Sequence, residues 1–406
     1  MIRFFLIVNL LAFESFGADW NQFRGPTGQG HALSDELPMV WGREEGIIWR
    51  MDISGKAWSS PIQVGNQVVL SNARQGINDD TLYLEAIALN LSDGSEAWRK
   101  ELFHYSSLPR IHSKNSYASP TPYFDGSFIY FHFGNLGTAC LSMSGEVEWA
   151  TKLEYQPVHG SGASPVVHGD KILLSTDGEF DPCLLALNKT DGNSLWKAYR
   201  QSKPKKSFSF CTPLVIEENG KVQIISPASD YVFSYDLEGK QIWKSKYPGG
   251  YSVVPRPIHS KGIVYVSSGY DRPTLYAIRV DGVGEVTNSH VVWKTSKSAP
   301  RNSSPVLVHE LLFMAADNGV VSCLDRKNGN LIWIERVANS CSASLLHANG
   351  LIYLSDEQGK TFIFEAAREF RLLAENDLEE RILASPVVIE HTLVIRTENS
   401  VWRVGN

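Results

Sequence analysis

The sequence predicts an all-β fold, an eight-bladed β-propeller of four-stranded antiparallel blades, and three observations lead to this prediction. A tryptophan closes a short apolar segment seven times, at intervals of 40 to 51 residues. An x-Pro element follows six of these tryptophans, and Gly, Asp and Asn mark turns between apolar segments. A period of about 40–50 residues built from short strands is typical of radially repeated β architectures. The repeat tryptophans are Trp49, Trp98, Trp149, Trp196, Trp243, Trp293 and Trp333.

The x-Pro elements are expected to open the first strand of each blade, because proline is tolerated at the start of a strand. After Trp333, Ser344 holds the corresponding place, and Pro386 continues the series without a preceding tryptophan. The six prolines are Pro61, Pro120, Pro165, Pro213, Pro255 and Pro305.

Residues 161–199 show how one blade is built. Four apolar segments are separated by turn residues such as His168-Gly169-Asp170 and Asp191-Gly192, which are typical of hairpin connections. The predicted strands are 163–167, 171–176, 184–188 and 194–198.

Eight such units occur between residues 47 and 406, and the last has only three strands before the chain ends. Residues 47–51 look like a fourth strand with its tryptophan, so we expect them to complete the last blade. That pairing closes the ring and removes exposed sheet edges. The units begin near Ser59, Ala118, Ala163, Cys211, Val253, Ser303, Ser342 and Ala384.

The N-terminal residues predict export to the periplasm or the exterior of a bacterium. Residues 1–18 have Arg3, an apolar stretch too short to span a bilayer and a small-residue site at Gly17-Ala18, as in a signal peptide. A buried first strand is the alternative. Residues 19–46 form a leader that we expect to pack on the propeller, since it contains Trp20, Phe23 and Trp41.

Composition narrows the range of functions. The net charge is −6 and no long basic run occurs, which argues against nucleic-acid binding. The five cysteines have neither disulfide-framework nor metal-site spacing, so we expect small apolar strand residues. No transmembrane segment is predicted, and the oligomeric state cannot be derived from these features.

The repeat resembles the pyrroloquinoline-quinone-type β-propeller family. The resemblance rests on Ser164-Pro165-Val166, Ala186-Leu187-Asn188, Asp191-Gly192 and Trp196, with similar segments in the other blades. It covers residues 47 to 406, and the opening Trp20-Asn21-Gln22-Phe23-Arg24-Gly25-Pro26 resembles the leader of bacterial secreted proteins with this repeat. The repeat is specific for the fold, whereas a fold does not by itself determine a function.

Two families with this repeat imply different functions. Quinone-dependent dehydrogenases bind a quinone and Ca²⁺, and those that oxidise alcohols typically carry adjacent cysteines, which this chain lacks. The outer-membrane assembly factor BamB is a non-catalytic periplasmic scaffold that binds a partner through its loops. In length and in its lack of redox residues the chain resembles BamB more, although it lacks the lipoprotein cysteine.

Candidate binding residues fall in two sets of loops that share one face of the predicted ring. These are the loops that lead into the first strand and the loops between the second and third strands, where converging polar side chains favour a binding site. Ordinary turn chemistry explains several of them equally well. The candidates are His112, Lys114, Asn115, His159, Asp177, Asp230, Tyr270, Asp271, Arg272, Arg301, Asp317 and Arg381.

These features favour a secreted or periplasmic, non-catalytic scaffold that binds a protein or polymer partner through its loop-lined face. No catalytic residue, metal site or cofactor is predicted under this hypothesis. The alternatives are a diverged quinone- and Ca²⁺-dependent dehydrogenase and a propeller that binds a small ligand in its central funnel.

Overall fold

The computed structural model describes residues 20–34, 36–77 and 80–405. The predicted signal peptide, residues 1–18, lies outside the described residues. Within them, eight antiparallel sheets form the blades of a ring, and the predicted eight-bladed propeller is confirmed. In each blade the innermost strand has two to five residues, and the strands at the middle of the blade are almost fully buried.

The strands of the first four blades are grouped by sheet. Blade 1 contains Ile62–Val64, Gln67–Gln75, Leu82–Asn90 and Glu96–Tyr105. Blade 2 contains Tyr123–Phe124, Phe128–His132, Thr138–Ser142 and Val147–Thr151, with a 3₁₀ turn at Gly134–Leu136. Blade 3 contains Val166–His168, Lys171–Thr176, Cys183–Asn188 and Ser194–Tyr199. Blade 4 contains Leu214–Glu218, Lys221–Pro227, Tyr231–Tyr235 and Gln241–Lys246.

The remaining four blades follow the same order. Blade 5 contains Ile258–Ser260, Ile263–Ser267, Leu275–Arg279 and Val291–Thr295. Blade 6 contains Val306–Val308, Leu311–Ala315, Val320–Asp325 and Leu331–Arg336. Blade 7 contains Leu346–Ala348, Leu351–Ser355, Lys360–Glu365 and Leu372–Asp377. Blade 8 contains Val387–Ile389, Thr392–Arg396 and Ser400–Val404, with Ile47–Asp52 as its outermost strand.

The two chain ends close the ring as predicted. Ile47–Asp52 pairs antiparallel with Ser400–Val404, with Trp49 opposite Arg403 and Met51 opposite Val401. Trp49 is buried, and its indole Nε1 donates to the carbonyl of Leu91 in blade 1 at 2.8 Å. The N-terminal strand therefore links the last blade to the first.

A ring of side-chain hydroxyls surrounds the central channel just before each innermost strand. The backbone N–H of one blade donates to the hydroxyl of the next blade in six places, at 2.9–3.0 Å. Seven of the eight equivalent positions carry Ser or Thr, and the eighth carries Arg256. The ring positions are Ser60, Thr121, Ser164, Thr212, Arg256, Ser304, Ser344 and Ser385.

The position of the hydroxyl ring shows that the predicted proline was wrong in two blades. The proline that precedes the innermost strand is Pro122 in blade 2 and Pro257 in blade 5, whereas Pro120 and Pro255 were expected. Both blades have two prolines separated by one residue, so spacing alone does not distinguish them. The hydrogen bonds do, because only Thr121 and Arg256 continue the ring.

The leader lies on the side of the ring where the innermost strands end. The backbone N–H groups of Gln63 and Phe124 donate to the carbonyls of Trp20 and Asn21, and His31 forms a parallel bridge with His347. Trp20 and Trp41 are each 3% exposed. The leader thus supplies partners to the inner edges of several blades and crosses the channel below them.

Two further details depart from the regular repeat. Gly284–Glu285, from a longer connection in blade 5, pairs parallel with the outer strand of blade 4 and covers its edge. All five cysteines are free and buried, but Cys211 and Cys341 lie in loops rather than in strands as expected.

Candidate functional site

The face of the ring opposite the leader contains a funnel with a volume of about 680 Å³. Its wall comes from the loops that lead into the innermost strands and from the loops between second and third strands, the two sets expected to share one face. The leader contributes Phe23, which reaches the floor through the channel. The funnel is therefore closed below and open to solvent above.

Seven of the twelve predicted residues line this funnel. They come from blades that are far apart in sequence, and the ring brings them together. The seven are His112, Lys114, Asn115, His159, Tyr270, Arg301 and Asp317. Asp271 and Arg381 adjoin them: Arg301 Nη2 donates to the Asp271 carbonyl at 3.4 Å, and Arg381 pairs with Glu357 at 3.4 Å.

The other three predicted residues lie elsewhere. Asp177 forms a bidentate ion pair with Arg200, at 2.8 and 2.9 Å, and its side chain is fully buried. Asp230, at a φ of 65°, accepts from the N–H of Gly249 and borders a separate surface pocket. Arg272 is exposed in a turn outside the funnel. The geometry gives Asp177 a structural role, because a buried pair leaves no carboxylate oxygen at the surface.

An arc of six aromatic rings forms part of the funnel wall, with neighbouring centroids 5.0–5.9 Å apart. Lys206 Nζ lies 4.0 Å from the Tyr251 ring centroid, and the Arg301 guanidinium lies 4.9 Å from that of Tyr270. These are cation–π distances. The arc consists of His112, His159, Phe208, Phe210, Tyr251 and Tyr270.

Phe208, Phe210 and Tyr251 were not among the predicted site residues, because the prediction rested on the polar side chains of these loops. A signal was present: two phenylalanines separated by one residue follow the lysine-rich stretch 203–206. Large apolar side chains in a loop before a strand are informative, since ordinary loops expose few of them. Trp58, which lines the funnel and donates from its indole Nε1 to the Lys114 carbonyl, was missed for the same reason.

A charged cluster occupies another part of the wall. Glu357 accepts from Lys114 Nζ at 2.7 Å, from Ser342 Oγ at 2.6 Å and from Arg381. Burial acts to raise the pKa of Glu357, but the hydrogen bonds from Lys114 and Ser342 outweigh burial and lower it. The Arg381 guanidinium also lies 5.7 Å from the Trp58 ring centroid. The cluster is thus held as an ion-pair network.

Burial changes the titration of two further funnel residues. It raises the pKa of Asp317, against hydrogen bonds from the backbone N–H groups of Arg301 and Asn302. Burial also lowers the pKa of His159, and the neighbouring His112 lowers it further. Both effects favour the uncharged form of the His159 ring in the arc.

The rim of this face carries exposed apolar side chains. Ile77 is 95% exposed, Phe180 is 64% exposed and Tyr270 is 48% exposed, and all three lie in loops between second and third strands. Leu108 is exposed in the loop before blade 2. Apolar side chains grouped around a concave site are typical of interaction surfaces.

The described residues set limits on two other kinds of site. Among residues 20–34, 36–77 and 80–405 there is no helix of the length and apolarity needed to cross a bilayer. The same residues contain no group of three or more His, Cys, Asp or Glu side chains arranged to hold a metal ion.

Comparison with solved structures agrees with this architecture. BamB from Moraxella catarrhalis superposes with a TM-score of 0.64 at 12% identity, covering 88% of this chain and 96% of that one. A europium-containing methanol dehydrogenase superposes with a TM-score of 0.69 at 10% identity, covering 97% and 99%. At these identities the likeness establishes the fold alone.

Sequence comparison identifies the family. Outer membrane protein assembly factor BamB from Yersinia pestis is 20% identical over 354 residues, covering 84% of this chain and 75% of that protein. Residues 85–335, from blade 1 to blade 6, match the family described as outer membrane protein assembly factor BamB. That match spans more than half of the chain, and the protein therefore belongs to this BamB family of β-propellers.

Proposed function

We propose that this protein is an exported, non-catalytic scaffold. It holds an extended segment of a partner protein in the funnel. The observation that carries the proposal is the aromatic arc, together with the exposed apolar side chains on the same rim. Four rings of the arc are exposed or half-buried, those of His112, His159, Phe210 and Tyr270. Aromatic side chains are enriched in protein interfaces and among the residues that contribute most to their affinity.

The charges of the funnel favour a protein segment as the occupant. Lys206 and Arg301 lie beside the arc, whereas Glu357 and Asp317 lie in or next to the remaining wall. A segment with apolar side chains and both signs of charge matches this distribution. The name of the relatives, outer membrane protein assembly factor, supports a role at the bacterial envelope with a protein as partner.

A photo-cross-linking experiment tests the proposal. p-Benzoylphenylalanine is introduced at Tyr270 on the funnel rim or, as a control, at Phe128, which is 37% exposed in a hairpin on the opposite face. We expect a defined protein adduct in the envelope fraction from position 270 and none from position 128. Equal labelling at both positions, or recovery of a polysaccharide instead of a protein, contradicts the proposal.

A second variant measures the contribution of the arc. Tyr270→Ala is expected to lower the affinity for the cross-linked segment about tenfold, since loss of an aromatic contact costs about 1.4 kcal/mol or more. Phe128→Ala is the matched control and leaves the affinity unchanged. Isothermal titration with the segment as a synthetic peptide provides the measurement.

The quinone alternative requires Ca²⁺, which takes six to eight oxygen ligands in proteins. The donor set of the funnel does not fit such an ion. Glu357 is engaged by Lys114 at 2.7 Å, and Asp317 accepts from Asn302 Nδ2 at 2.7 Å. We therefore propose no cofactor. Mixing the protein with pyrroloquinoline quinone and Ca²⁺ checks this: bound quinone absorbance with dye-linked alcohol oxidation refutes the scaffold assignment.

A further inference from the structure

Two arginines meet in the closed part of the channel, beneath the funnel floor. Arg24 comes from the leader and Arg256 from the ring position before blade 5. Each is only 2% exposed. Arg256 Nη1 donates to the carbonyl of Phe23 at 2.7 Å, so the leader holds the two guanidinium groups in one region.

The two groups differ in how their donors are satisfied. Arg256 donates to Pro213, to Phe23 and, with both terminal nitrogens, to Gln22 Oε1. Arg24 donates only through Nη2, to the carbonyls of Pro305 at 2.7 Å and Leu345 at 3.4 Å. Its Nε and Nη1 are buried without a hydrogen-bond partner.

Neither arginine has a carboxylate partner among the described residues, whose ion pairs all involve other side chains. Burial, together with the charge of Arg256, lowers the pKa of Arg24 to about 9. Burial also lowers the pKa of Arg256, to about 10. Buried charges in proteins are normally paired, because an unpaired charge in a low-dielectric interior is strongly destabilising.

The sequence departs from the repeat at the position of Arg256, and the leader has unusual backbone geometry beside it. Arg256 replaces the Ser or Thr found at the seven other ring positions, so the hydroxyl ring is interrupted there. Arg24 adopts a φ of 68°, which is uncommon for a residue with a side chain. A Cβ on Gly28 would lie 2.3 Å from Arg256 Nη1, and one on Gly30 would lie 2.5 Å from Arg24 Nη2. The leader glycines therefore make room for the two guanidinium groups.

We propose that a small inorganic anion of halide size binds at Arg24 Nε and Nη1 and neutralises the Arg24–Arg256 pair. Arg24 Nε and Nη1 are both buried, and this enclosure favours a monoatomic anion over a larger oxyanion. The anion joins the leader to the ring from inside the channel. This site is separate from the funnel, and its role does not depend on the proposed partner binding.

Arg396 is a suitable comparison. It is also buried, and burial lowers its pKa to about 9. Its guanidinium, however, donates to Ser59 Oγ, to the Ser71 carbonyl at 2.6 Å and to Asn72 Oδ1. Neutral acceptors surround Arg396, so it needs no anion.

Crystals of the whole protein grown in sodium bromide test the proposal directly. The anomalous difference map is expected to show a bromide peak in contact with Arg24 Nε and Nη1, and none at Arg396. A map without a peak at Arg24 overturns the proposal, whatever else occupies the site.

A solution measurement tests the same site. At constant ionic strength, replacing gluconate with chloride is expected to raise the Tm, by roughly 1–3 °C for each tenfold increase near saturation. Arg24→Met removes this response, whereas Arg396→Met retains it. An Arg24→Met protein with an unchanged chloride response overturns the proposal, and if that variant fails to fold, the bromide map of the native protein decides.

Discussion

At the scale of single residues, the blades are joined by tryptophan and glycine. A Cβ added to the glycine in the last turn of a blade would lie 2.5–2.8 Å from the indole of the preceding blade in five cases. In four of those five pairs the indole Nε1 also donates to a carbonyl of that turn, at 2.8–3.0 Å. The five pairs are Trp49–Gly94, Trp98–Gly145, Trp149–Gly192, Trp196–Gly239 and Trp293–Gly329.

A turn can require glycine for its positive φ or for the close approach of a neighbouring side chain, and Gly192 and Gly220 distinguish these two reasons. Both have a φ of 72°, but only Gly192 lies under an indole, that of Trp149, whereas Gly220 has open space. Gly220→Ala is expected to cost about 1 kcal/mol from backbone strain. Gly192→Ala adds roughly 1–3 kcal/mol of overpacking. Denaturant unfolding of both variants measures the difference, and equal losses contradict the inter-blade contact.

The sequence predicted glycine in these turns for its positive φ, and that part followed from local chemistry. It did not predict that the indole of the preceding blade lies on the glycine. The two residues are 36 to 47 positions apart in the sequence, and their contact depends on how adjacent blades are inclined. The aromatic arc depends on the closed ring in the same way, since only the ring places Phe208 against His159 and Tyr251 against Phe208.

At the scale of elements, the leader is attached to blade 7 through a histidine pair. His31 Nδ1 and His347 Nδ1 lie 3.1 Å apart. The N–H of Gly350 donates to His347 Nε2, so neutral His347 carries its proton on Nδ1 and donates it to His31. Burial lowers the pKa of each ring to about 4, and His347 contributes to the shift of His31. The contact therefore requires both rings to be neutral.

Stability is expected to fall as the pH decreases from about 6.5 towards 4. The folded-state pKa values lie below the usual value for histidine, so the unfolded chain takes up protons first in this range. The contribution is complete above about pH 6.5. His31→Gln, which keeps an acceptor but cannot be protonated, reduces the loss between pH 7 and pH 5 in denaturant unfolding. His391→Gln, at an exposed position, is the control, and identical profiles for His31→Gln and the native protein contradict the assignment.

At the scale of the whole molecule, stability depends on closure of the ring by the chain ends. Without Ile47–Asp52, blade 8 would present the edge of Ser400–Val404, and blade 1 would lose the Trp49 indole over Gly94. An open ring has two unprotected edges, which is the condition that closed β architectures avoid.

Replacing Ile47–Asp52 with six glycine and serine residues keeps the leader connected but removes the strand. We expect a loss of roughly 4 kcal/mol or more, because truncation of a buried tryptophan alone costs about 3–5 kcal/mol. The Tm and the denaturant midpoint are the measurements. A variant that unfolds at the same temperature as the native protein shows that the ring does not need this strand.

The sequence by itself determined the all-β class, the eight blades, the closing strand and the face on which loops converge. These follow from local rules, namely the period of the strands and the turn residues between them. The tertiary structure alone decided the register of Thr121 and Arg256, the buried pairing of Asp177 with Arg200, the aromatic arc and the meeting of Arg24 with Arg256. The Asp177–Arg200 pair forms within blade 3, between residues that follow its second and fourth strands. The other features join residues from different blades or from the leader, and their proximity exists only once the ring has closed.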